Sequence, residues 1–336
     1  MKIVSLFSGA GGLDKGFEAA GFKTIWANDY DKDVWNTFAK NFPDTYLDRR
    51  SIVNIPSNEI PDSVGIIGGP PCQSWSEAGT LRGIDDHRGQ LFFEFIRILR
   101  DKQPLFFLAE NVSGMLAQRH SQAFKNIKNL FIESGYNLSV ELLNASDYCV
   151  PQDRKRVFFI GIRNDLAKTY CFPDPQLEKK LLQDAIWDLK DTALPGKDKN
   201  HSNQGDCHIE NHEYLTGGFS SIYMSRNRVR NWNELSFTIQ AGGRHAPIHP
   251  QAPKMILVGK DKRIFVPGKE HLYRRLSVRE CARIQTFPDD HVFYYNSLLA
   301  GYKMVGNAVP CKLAYFLAKN LIDILFKEKI VLEKDY

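Results

Sequence analysis

Cys72 is the residue whose neighbours best suit it to act as a nucleophile. It ends the segment Gly68-Gly69-Pro70-Pro71-Cys72, in which two prolines stiffen the backbone ahead of the thiol. A free cysteine is more often a small buried apolar residue, and that interpretation serves for the other cysteines of the chain. The rigid approach to Cys72, and the polar residues that follow it, favour a presented thiol that attacks an electrophilic carbon.

A carboxylate follows a fully apolar segment further along the chain. Leu105–Ala109 leads directly into Glu110-Asn111-Val112. A carboxylate at the end of an apolar strand costs free energy unless it has a partner or a task. Desolvation there would raise the pKa of Glu110, which suits a group that donates a proton. A helix-capping acid is the alternative interpretation.

Two arginines precede another apolar strand, in Gln152-Asp153-Arg154-Lys155-Arg156. If the strand includes them, its period of two places Arg154 and Arg156 on one face. Such a pair can bind a phosphate or the carbonyl of a base. A solvated strand end explains the same spacing equally well.

A glycine turn follows the first apolar segment, in Phe7-Ser8-Gly9-Ala10-Gly11-Gly12. Glycines let a backbone approach a ligand closely, and the N–H groups of the following helix point into the same space. Asp14 stands where a dinucleotide-binding turn has its third glycine, which disfavours a dinucleotide. Asp29 lies about twenty residues after Gly9, beyond the second strand, where an acid can hold ribose hydroxyls. The glycine turn and Asp29 together predict a nucleoside-containing cofactor.

Arginines alternate in Ser225-Arg226-Asn227-Arg228-Val229-Arg230, and Arg244 follows in Ala241-Gly242-Gly243-Arg244. Arginine on an extended segment is the side chain most used to read guanine in the major groove. A solvated charged edge is the other interpretation of this pattern. The net charge of +5 permits a nucleic-acid partner without requiring one.

The elements that must position these residues alternate in type. Apolar runs predict strands at Lys2–Phe7, Thr24–Asn28, Val64–Gly68, Leu105–Glu110, Leu138–Asn144 and Val157–Ile162. Helical periodicity predicts helices at Leu13–Ala20, Lys32–Asn41, Leu91–Lys102, Gln122–Glu133 and Lys312–Phe326. This alternation predicts an α/β fold built on a doubly wound, mostly parallel sheet.

A second, smaller module begins near Pro173, where the segments become rich in turns and lose clear periodicity. We expect it to be irregular and β-rich and to span residues 173–298. Residues 1–172 and 299–336 then form the first domain. The sequence shows neither metal-ligand spacing of its cysteines, nor a signal segment, nor an apolar run as long as a membrane span. A cytoplasmic protein without a metal is therefore expected.

Six segments, in this order, resemble motifs of the cytosine-C5 DNA methyltransferase family. FSGAGG is similar to its cofactor loop, PPCQ to its nucleophile motif, ENV to its acid motif and QDRKR to its QxRxR motif. Arg274–Asp290 (RRLSVRECARIQTFPDD) and Gly301–Pro310 (GYKMVGNAVP) resemble its two C-terminal motifs. The resemblance covers the whole chain. It implies a Rossmann-like fold that uses S-adenosylmethionine, followed by a target-recognition domain.

By position, the resemblance implies roles for individual residues. The cofactor would contact Phe7, Gly9, Ala10, Gly11, Gly12, Asp29, Tyr30, Ser51, Pro70, Leu91, Asn307 and Ala308. Cys72, Glu110 and Arg156 would act on the cytosine, with Arg154 nearby, and Arg226, Arg228 and Arg244 would read bases. Where the family has an acid for the adenine amino group, this chain has Ser51. Either Ser51 or its backbone makes that contact, or Asp48 does.

The second module resembles that of a GGCC-specific methyltransferase, in MSRNRVRNWNE and AGGRHAPIHPQAP. This similarity implies a GGCC site in duplex DNA and a bacterial restriction-modification role. Separately from the similarity, we expect a monomer on DNA, with a cognate endonuclease as the partner in such a system. Two other functions stay open. A tRNA cytosine methyltransferase is disfavoured by the arginines of the second module, and a non-catalytic DNA-binding regulator by the intact set of Cys72, Glu110 and Arg156.

Overall fold

A seven-stranded sheet organises the first half of the chain. The computed structural model describes residues 1–71 and 87–327. The strands lie in the order β3-β2-β1-β4-β5-β7-β6. Their bounds are β1 Lys2–Leu6, β2 Lys23–Asn28, β3 Tyr46–Asp48, β4 Gly65–Gly68, β5 Phe106–Val112, β6 Tyr136–Asn144 and β7 Lys155–Arg163.

The pairing confirms the predicted doubly wound, mostly parallel sheet. From β3 to β5 each neighbouring pair is parallel, whereas β7 runs antiparallel to both β5 and β6. The chain leaves β1 toward one edge of the sheet and returns to β4 on the other side of β1, so the order reverses between these two strands. Ligands of such sheets bind beyond the carboxyl ends of the strands at this reversal. Strand β3 has no predicted counterpart, because three residues are too few to show a period.

Helices cover both faces of the sheet. They are α1 Gly12–Ala20, α2 Lys32–Asn41, α3 His87–Lys102, α4 Ser121–Glu133 and α9 Cys311–Leu325. Neighbouring side chains of a strand point to opposite faces. Phe106 accordingly packs near Phe17 of α1, with ring centroids 6.4 Å apart, while Phe107 stacks on Phe131 of α4 at 4.4 Å. Two-sided coverage explains why the strands are apolar on consecutive residues.

The chain divides into two compact units. The first comprises Met1–Asn144, Lys155–Pro175 and the chain from Leu313 onward, and the second comprises Ala145–Arg154 and Gln176–Lys312. The predicted return to the first domain at residue 299 is therefore too early. Helix α8 (Leu298–Asn307) packs against α7 (Val278–Ile284) of the second unit, and its Tyr302 hydroxyl donates to the Leu276 carbonyl at 2.5 Å. Periodicity within a helix does not reveal which unit the helix packs against.

The second unit is irregular, as predicted, but it contains less strand than expected. Its strands form two short pairs, β8 (Leu194–Pro195) with β9 (Glu213–Tyr214) and β10 (Ile256–Gly259) with β11 (Lys262–Ile264). Besides α7 and α8 it contains the short helices α5 (Leu182–Ile186) and α6 (Ser221–Met224).

A buried ion pair and a capped helix stabilise part of this unit. Arg274 donates to both oxygens of the fully buried Glu280, at 2.7 and 2.8 Å. Ser277 caps α7 by accepting from the Glu280 amide, and Glu280 accepts from the Ser277 amide in return. Among the described helices of both units, none is long and apolar enough to cross a membrane.

Candidate active site and base-reading residues

The sheet register aligns several of the predicted site residues in one row. Leu6, Asn28, Gly68 and Ala109 lie in register across β2, β1, β4 and β5. The next residue of each strand is therefore at the same carboxyl edge of the sheet. Those residues are Phe7, Asp29, Gly69 and Glu110. The fold thus brings the glycine turn, Asp29, the segment before Cys72 and Glu110 to one edge of the sheet.

The glycine turn has the backbone geometry of a ligand cradle. Gly9 and Gly11 have φ angles of 56° and 81°, a region that glycine enters without strain. Phe7 has φ 54° although it carries a side chain, and such strain concentrates at binding sites. A Cβ on Gly9 would meet no described atom within 4 Å, whereas Ala10 and Gly12 are buried in the turn. The turn therefore leaves open space at Gly9.

Asp29 closes this turn from the neighbouring strand. Its Oδ2 accepts from the Gly9 amide at 2.8 Å and its Oδ1 from the Asp31 amide at 2.9 Å. Trp35 Nε1 donates to the Asp29 carbonyl at 2.8 Å, which fixes the backbone there. The next side chain, Tyr30, is 58% exposed and offers an aromatic face. Carboxylate oxygens and an exposed ring beside a glycine turn fit a ribose and its base.

The contacts of Asp48 separate the two candidates for the adenine. Arg50 binds both carboxylate oxygens of Asp48, with Nη2 at 2.6 Å from Oδ2, and also pairs with Glu59. Burial would raise the pKa of the Asp48 carboxyl, but the hydrogen bonds from Arg50 outweigh it and hold this pKa below its ordinary value. Both carboxylate oxygens of Asp48 are therefore hydrogen-bonded to Arg50. Ser51 lies half-buried just beyond it, which favours Ser51 as the adenine contact.

Glu110 and Arg156 form an ion pair at the carboxyl edge. Arg156 Nε lies 2.9 Å from Glu110 Oε1, and both side chains are largely buried. The antiparallel register pairs Val112 with Arg156 and Glu110 with Phe158, so the two charged residues share one face of neighbouring strands. A Cβ on Gly69 would lie 3.3 Å from Glu110 Oε2. The other carboxylate oxygen thus faces the segment that leads to Cys72.

Asn111 is a site residue that the sequence argument did not single out. Its Nδ2 donates to the Pro70 carbonyl at 3.0 Å, and its Oδ1 accepts from the Val112 amide at 2.9 Å. The side chain is buried and joins β5 to the segment before Cys72. The position of Asn111 directly after an apolar segment could have indicated this contact, because a buried asparagine needs hydrogen-bond partners. Cys72 itself lies outside the described residues.

Leu91, Asn307 and Ala308 occupy different settings. Leu91 is 8% exposed and belongs to the apolar core of the first unit. Asn307 is the exposed last residue of α8 in the second unit, followed by the buried Ala308. Their contacts with a cofactor remain predictions.

Arg154 and Arg156 bind different partners, which corrects the expectation that they act as a pair. Strand β7 begins at Lys155, so a strand period does not extend to Arg154. The side chain is 1% exposed, and its guanidinium donates to the carbonyls of Ile239 at 2.9 Å, Gly306 at 2.9 Å and Ala308 at 3.0 Å. These contacts fix the Arg154 side chain within the second unit.

The arginines of the second unit do not form a ladder on one strand. Helix α6 ends just before them, and Val229 forms only an isolated bridge with Ile248. Arg228 Nε donates to the Tyr223 carbonyl at 2.9 Å, and its guanidinium lies 4.8 Å from the centre of the Tyr223 ring. Arg226 and Arg244 are exposed and, within the described residues, make neither a hydrogen bond nor an ion pair. Both side chains are therefore accessible to a ligand.

The chain resembles known proteins over nearly all of its length. The profile of the family described as C-5 cytosine-specific DNA methylase matches residues 1–323. The Type II methyltransferase M.FnuDI of Fusobacterium nucleatum is 61% identical over 98% of this chain and 97% of its own. M.MthTI, a Type II methyltransferase of Methanothermobacter thermautotrophicus, is 57% identical over 96% and 97%.

Solved structures agree on the fold. An Escherichia coli prophage protein, described as a DNA modification methyltransferase, superposes with a TM-score of 0.74 at 26% identity over 97% of this chain and 99% of its own. A Spodoptera frugiperda DNMT2 variant superposes with a TM-score of 0.67 at 20% identity over 96% and 99%, which shows a common fold alone. The chain therefore belongs to the C-5 cytosine-specific DNA methylase family and is a DNA (cytosine-5-)-methyltransferase.

Proposed function

We propose that the enzyme methylates a cytosine of GGCC in duplex DNA, with S-adenosylmethionine as methyl donor, as the modification enzyme of a bacterial restriction-modification system. The observation that supports the chemistry best is the 2.9 Å pair of Glu110 and Arg156, beside the segment that leads to Cys72. The names of its Type II relatives support the biological role. In this proposal the enzyme is cytoplasmic and acts on DNA as a monomer, with a cognate endonuclease as its partner in the system.

The methyl donor suits the residues around the glycine turn. Gly9 and Gly11 would let the backbone approach it, Asp29 would accept from its ribose hydroxyls, and Tyr30 would lie against its base. Ser51 would meet the adenine amino group. S-adenosylmethionine supplies an electrophilic methyl group when it is bound.

The chain's own residues would make the cytosine reactive. C5 of cytosine is a poor nucleophile until the thiolate of Cys72 adds to C6. Glu110 then holds a proton at N3, so that the electron pair reaches C5 as an enamine. Arg156 keeps the Glu110 carboxylate in place through Oε1, which leaves Oε2 directed toward Gly69. After C5 has taken the methyl group it loses its proton, and Cys72 leaves by elimination.

The target base must leave the helix for this reaction, because C6 is inaccessible in a stacked duplex. The choice of GGCC is supported by the similarity of the second unit to that of the HaeIII methyltransferase in MSRNRVRNWNE and AGGRHAPIHPQAP. It is also supported by the exposure of Arg226 and Arg244, since guanidinium groups match guanine O6 and N7.

Three measurements test this proposal. Bisulfite sequencing of DNA from cells that express the chain should show methylation confined to GGCC, and a tRNA transcript should not be methylated in vitro. A duplex with 5-fluorocytosine at the target should form a stable adduct, because fluorine cannot leave as a proton does. The adduct should be absent with Cys72→Ser. Methylation at another sequence, or an equal adduct with Cys72→Ser, would refute the corresponding part.

A further inference from the structure

Three side chains form a buried polar network in the second unit. Gln152, Arg154 and Gln285 are each at most 1% exposed. Gln152 Nε2 donates to Gln285 Oε1 at 2.7 Å. The remaining polar contacts of these side chains go largely to the main chain of two other segments. Burying polar side chains costs free energy unless they form hydrogen bonds, so the partners of these three residues matter for the stability of the unit.

The first of these segments surrounds Asn307. Arg154 Nη2 donates to the carbonyls of Gly306 and Ala308, at 2.9 and 3.0 Å, and these are the residues on either side of Asn307. Gln285 Nε2 donates to the Val305 and Ala308 carbonyls at 2.8 and 3.0 Å. The main chain around Asn307 is thus held on both sides, while Asn307 itself is exposed.

The second segment leads to Arg244. Gln152 Oε1 accepts from the Ile239 amide at 2.8 Å, and Arg154 Nη1 donates to the Ile239 carbonyl at 2.9 Å. The chain then runs through Ala241 to the turn that contains Gly243 and Arg244. One arginine therefore binds the backbone that leads to Arg244 and the backbone that carries Asn307.

Two glycines bring the same segments into direct contact. A Cβ on Gly306 would lie 2.4 Å from the Ala241 amide nitrogen, and a Cβ on Gly243 would lie 2.6 Å from Cδ2 of Tyr302 in α8. Only glycine fits at such close approaches. The turn of Arg244 consequently packs on the helix that ends at Asn307, and a shift of one must displace the other.

We propose that Gln152, Arg154 and Gln285 are positioning residues that couple DNA recognition at Arg244 to cofactor binding at Asn307. This inference rests on the roles of Arg244 and Asn307 in the proposed function. When a GGCC duplex orders the Arg244 turn, the network holds Asn307 in the geometry that binds the cofactor. Coupling of this kind is reciprocal, so the bound cofactor favours DNA binding by the same factor.

Calorimetry with S-adenosylhomocysteine measures this coupling without turnover. We expect the GGCC duplex to tighten S-adenosylhomocysteine binding to the wild type by roughly 5- to 100-fold, the usual range for coupled sites. In Arg154→Lys, a single ammonium cannot reproduce the three carbonyl contacts, and the factor should fall to about twofold or less. Gln152→Met, which removes two hydrogen bonds at similar length, provides a milder second variant.

Arg279→Lys is the matched control. Arg279 is also fully buried in the second unit and donates to the carbonyls of Glu210 at 2.8 Å and His291 at 3.1 Å, with no contact to Ile239 or to the Asn307 segment. It should lower the melting temperature while keeping the wild-type coupling factor. Wild-type coupling in folded Arg154→Lys and Gln152→Met, or an equal loss in Arg279→Lys, would overturn the inference.

Failure of the inference can be told apart from failure of the proposed function. Asn307→Ala should weaken S-adenosylhomocysteine binding in the absence of DNA, and Arg244→Ala should weaken binding of the GGCC duplex in the absence of cofactor. If either variant binds like the wild type, the assigned role of that residue is wrong. If both weaken binding and Arg154→Lys still couples normally, the roles stand and the linkage is refuted.

Discussion

Nδ2 of Asn111 donates a 3.0 Å hydrogen bond to the carbonyl oxygen of Pro70, and thereby joins the strand that ends in Glu110 to the segment that leads to Cys72. Because Asn111 directly follows Glu110, the same backbone presents the acid and anchors the approach to the nucleophile. The position of Pro70 relative to the Glu110 strand is thus fixed in part by this buried amide.

Asn111→Ala should lower kcat by up to about 100-fold while DNA and cofactor affinities change little, because a misplacement of about 1 Å can cost that much. Asn111→Asp, which keeps the size but loses the donor, should behave alike. Steady-state kinetics and calorimetry measure both effects. Asn126→Ala, an exposed asparagine of α4, is the control. A kcat of Asn111→Ala close to wild type would show that catalysis does not depend on the hydrogen bond from Asn111 to Pro70.

Glu110→Gln should lose most methyl transfer and retain DNA and cofactor binding. The amide keeps the shape of the side chain but cannot supply a proton to N3, and general acid catalysis contributes roughly 10²–10⁴ in rate. Single-turnover rates at saturating DNA and cofactor measure the loss. Turnover within a few-fold of wild type would assign protonation of N3 to another group.

Asp29→Ala should weaken cofactor binding and leave GGCC binding nearly intact. Its carboxylate accepts from the Gly9 amide at 2.8 Å, and in the proposed function it also accepts from the ribose hydroxyls of the cofactor. Calorimetry with S-adenosylhomocysteine gives the affinity. Asp44→Ala, which removes an exposed carboxylate paired with Lys23, serves as the comparison. An unchanged affinity in Asp29→Ala would exclude Asp29 from the cofactor site.

The arginines of the second unit should differ in how they affect sequence choice. Arg226→Ala and Arg244→Ala should each slow methylation at GGCC by roughly tenfold to a hundredfold, with less loss at a site altered at the matching base pair, since a bidentate guanine contact discriminates by about 1–3 kcal/mol. Arg228→Ala should instead lower activity by disturbing the loop that carries Arg228. The Arg228 guanidinium already donates to the Tyr223 carbonyl and lies over the Tyr223 ring.

A methylation-rate panel of single-base variants of GGCC, at fixed salt, distinguishes these cases. A contact with phosphate weakens all sequences alike and flattens the salt dependence. A uniform loss across the panel for both Arg226→Ala and Arg244→Ala would show that other residues read the bases.

Asp14 should make stability depend on pH. It is fully buried, and burial raises the pKa of its carboxyl to about 7, although hydrogen bonds from Ser5 and Thr24 oppose the shift. The unfolded chain releases this proton near its ordinary pKa of 3.8. Stability from this group is therefore complete below about pH 4, is lost as pH rises to 7, and then stays constant.

Asp14→Asn should remove this slope, whose maximum is about 1.4 kcal/mol per pH unit. Urea unfolding between pH 5 and pH 8 measures it as the difference between wild type and variant. Asp44→Asn, at an exposed position, should keep the wild-type slope. If the difference between wild type and Asp14→Asn is the same at every pH, Asp14 does not titrate in this range.

Local patterns of the sequence were sufficient to predict the sheet, most of its strands, the five helices that cover it and the motif residues, but not the helices of the second unit. Consecutive apolar residues mark strands covered on both faces, and the types of residue after each strand indicate the chemistry there. The end-to-end resemblance in motif order likewise needs no structure. The family and its reaction were thus predictable from residues close together in the chain.

Contacts between distant segments were decided only by the tertiary structure. Arg154 and Arg156 are two positions apart, yet one binds three main-chain carbonyls and the other pairs with Glu110. Spacing does not show where a strand begins or which acceptors a buried guanidinium will meet. The alternation of Arg226 and Arg228 likewise predicted one role for both. In the folded chain Arg226 is exposed, whereas Arg228 donates a hydrogen bond to the Tyr223 carbonyl. Only the fold decides which of the two arginines comes within reach of that carbonyl.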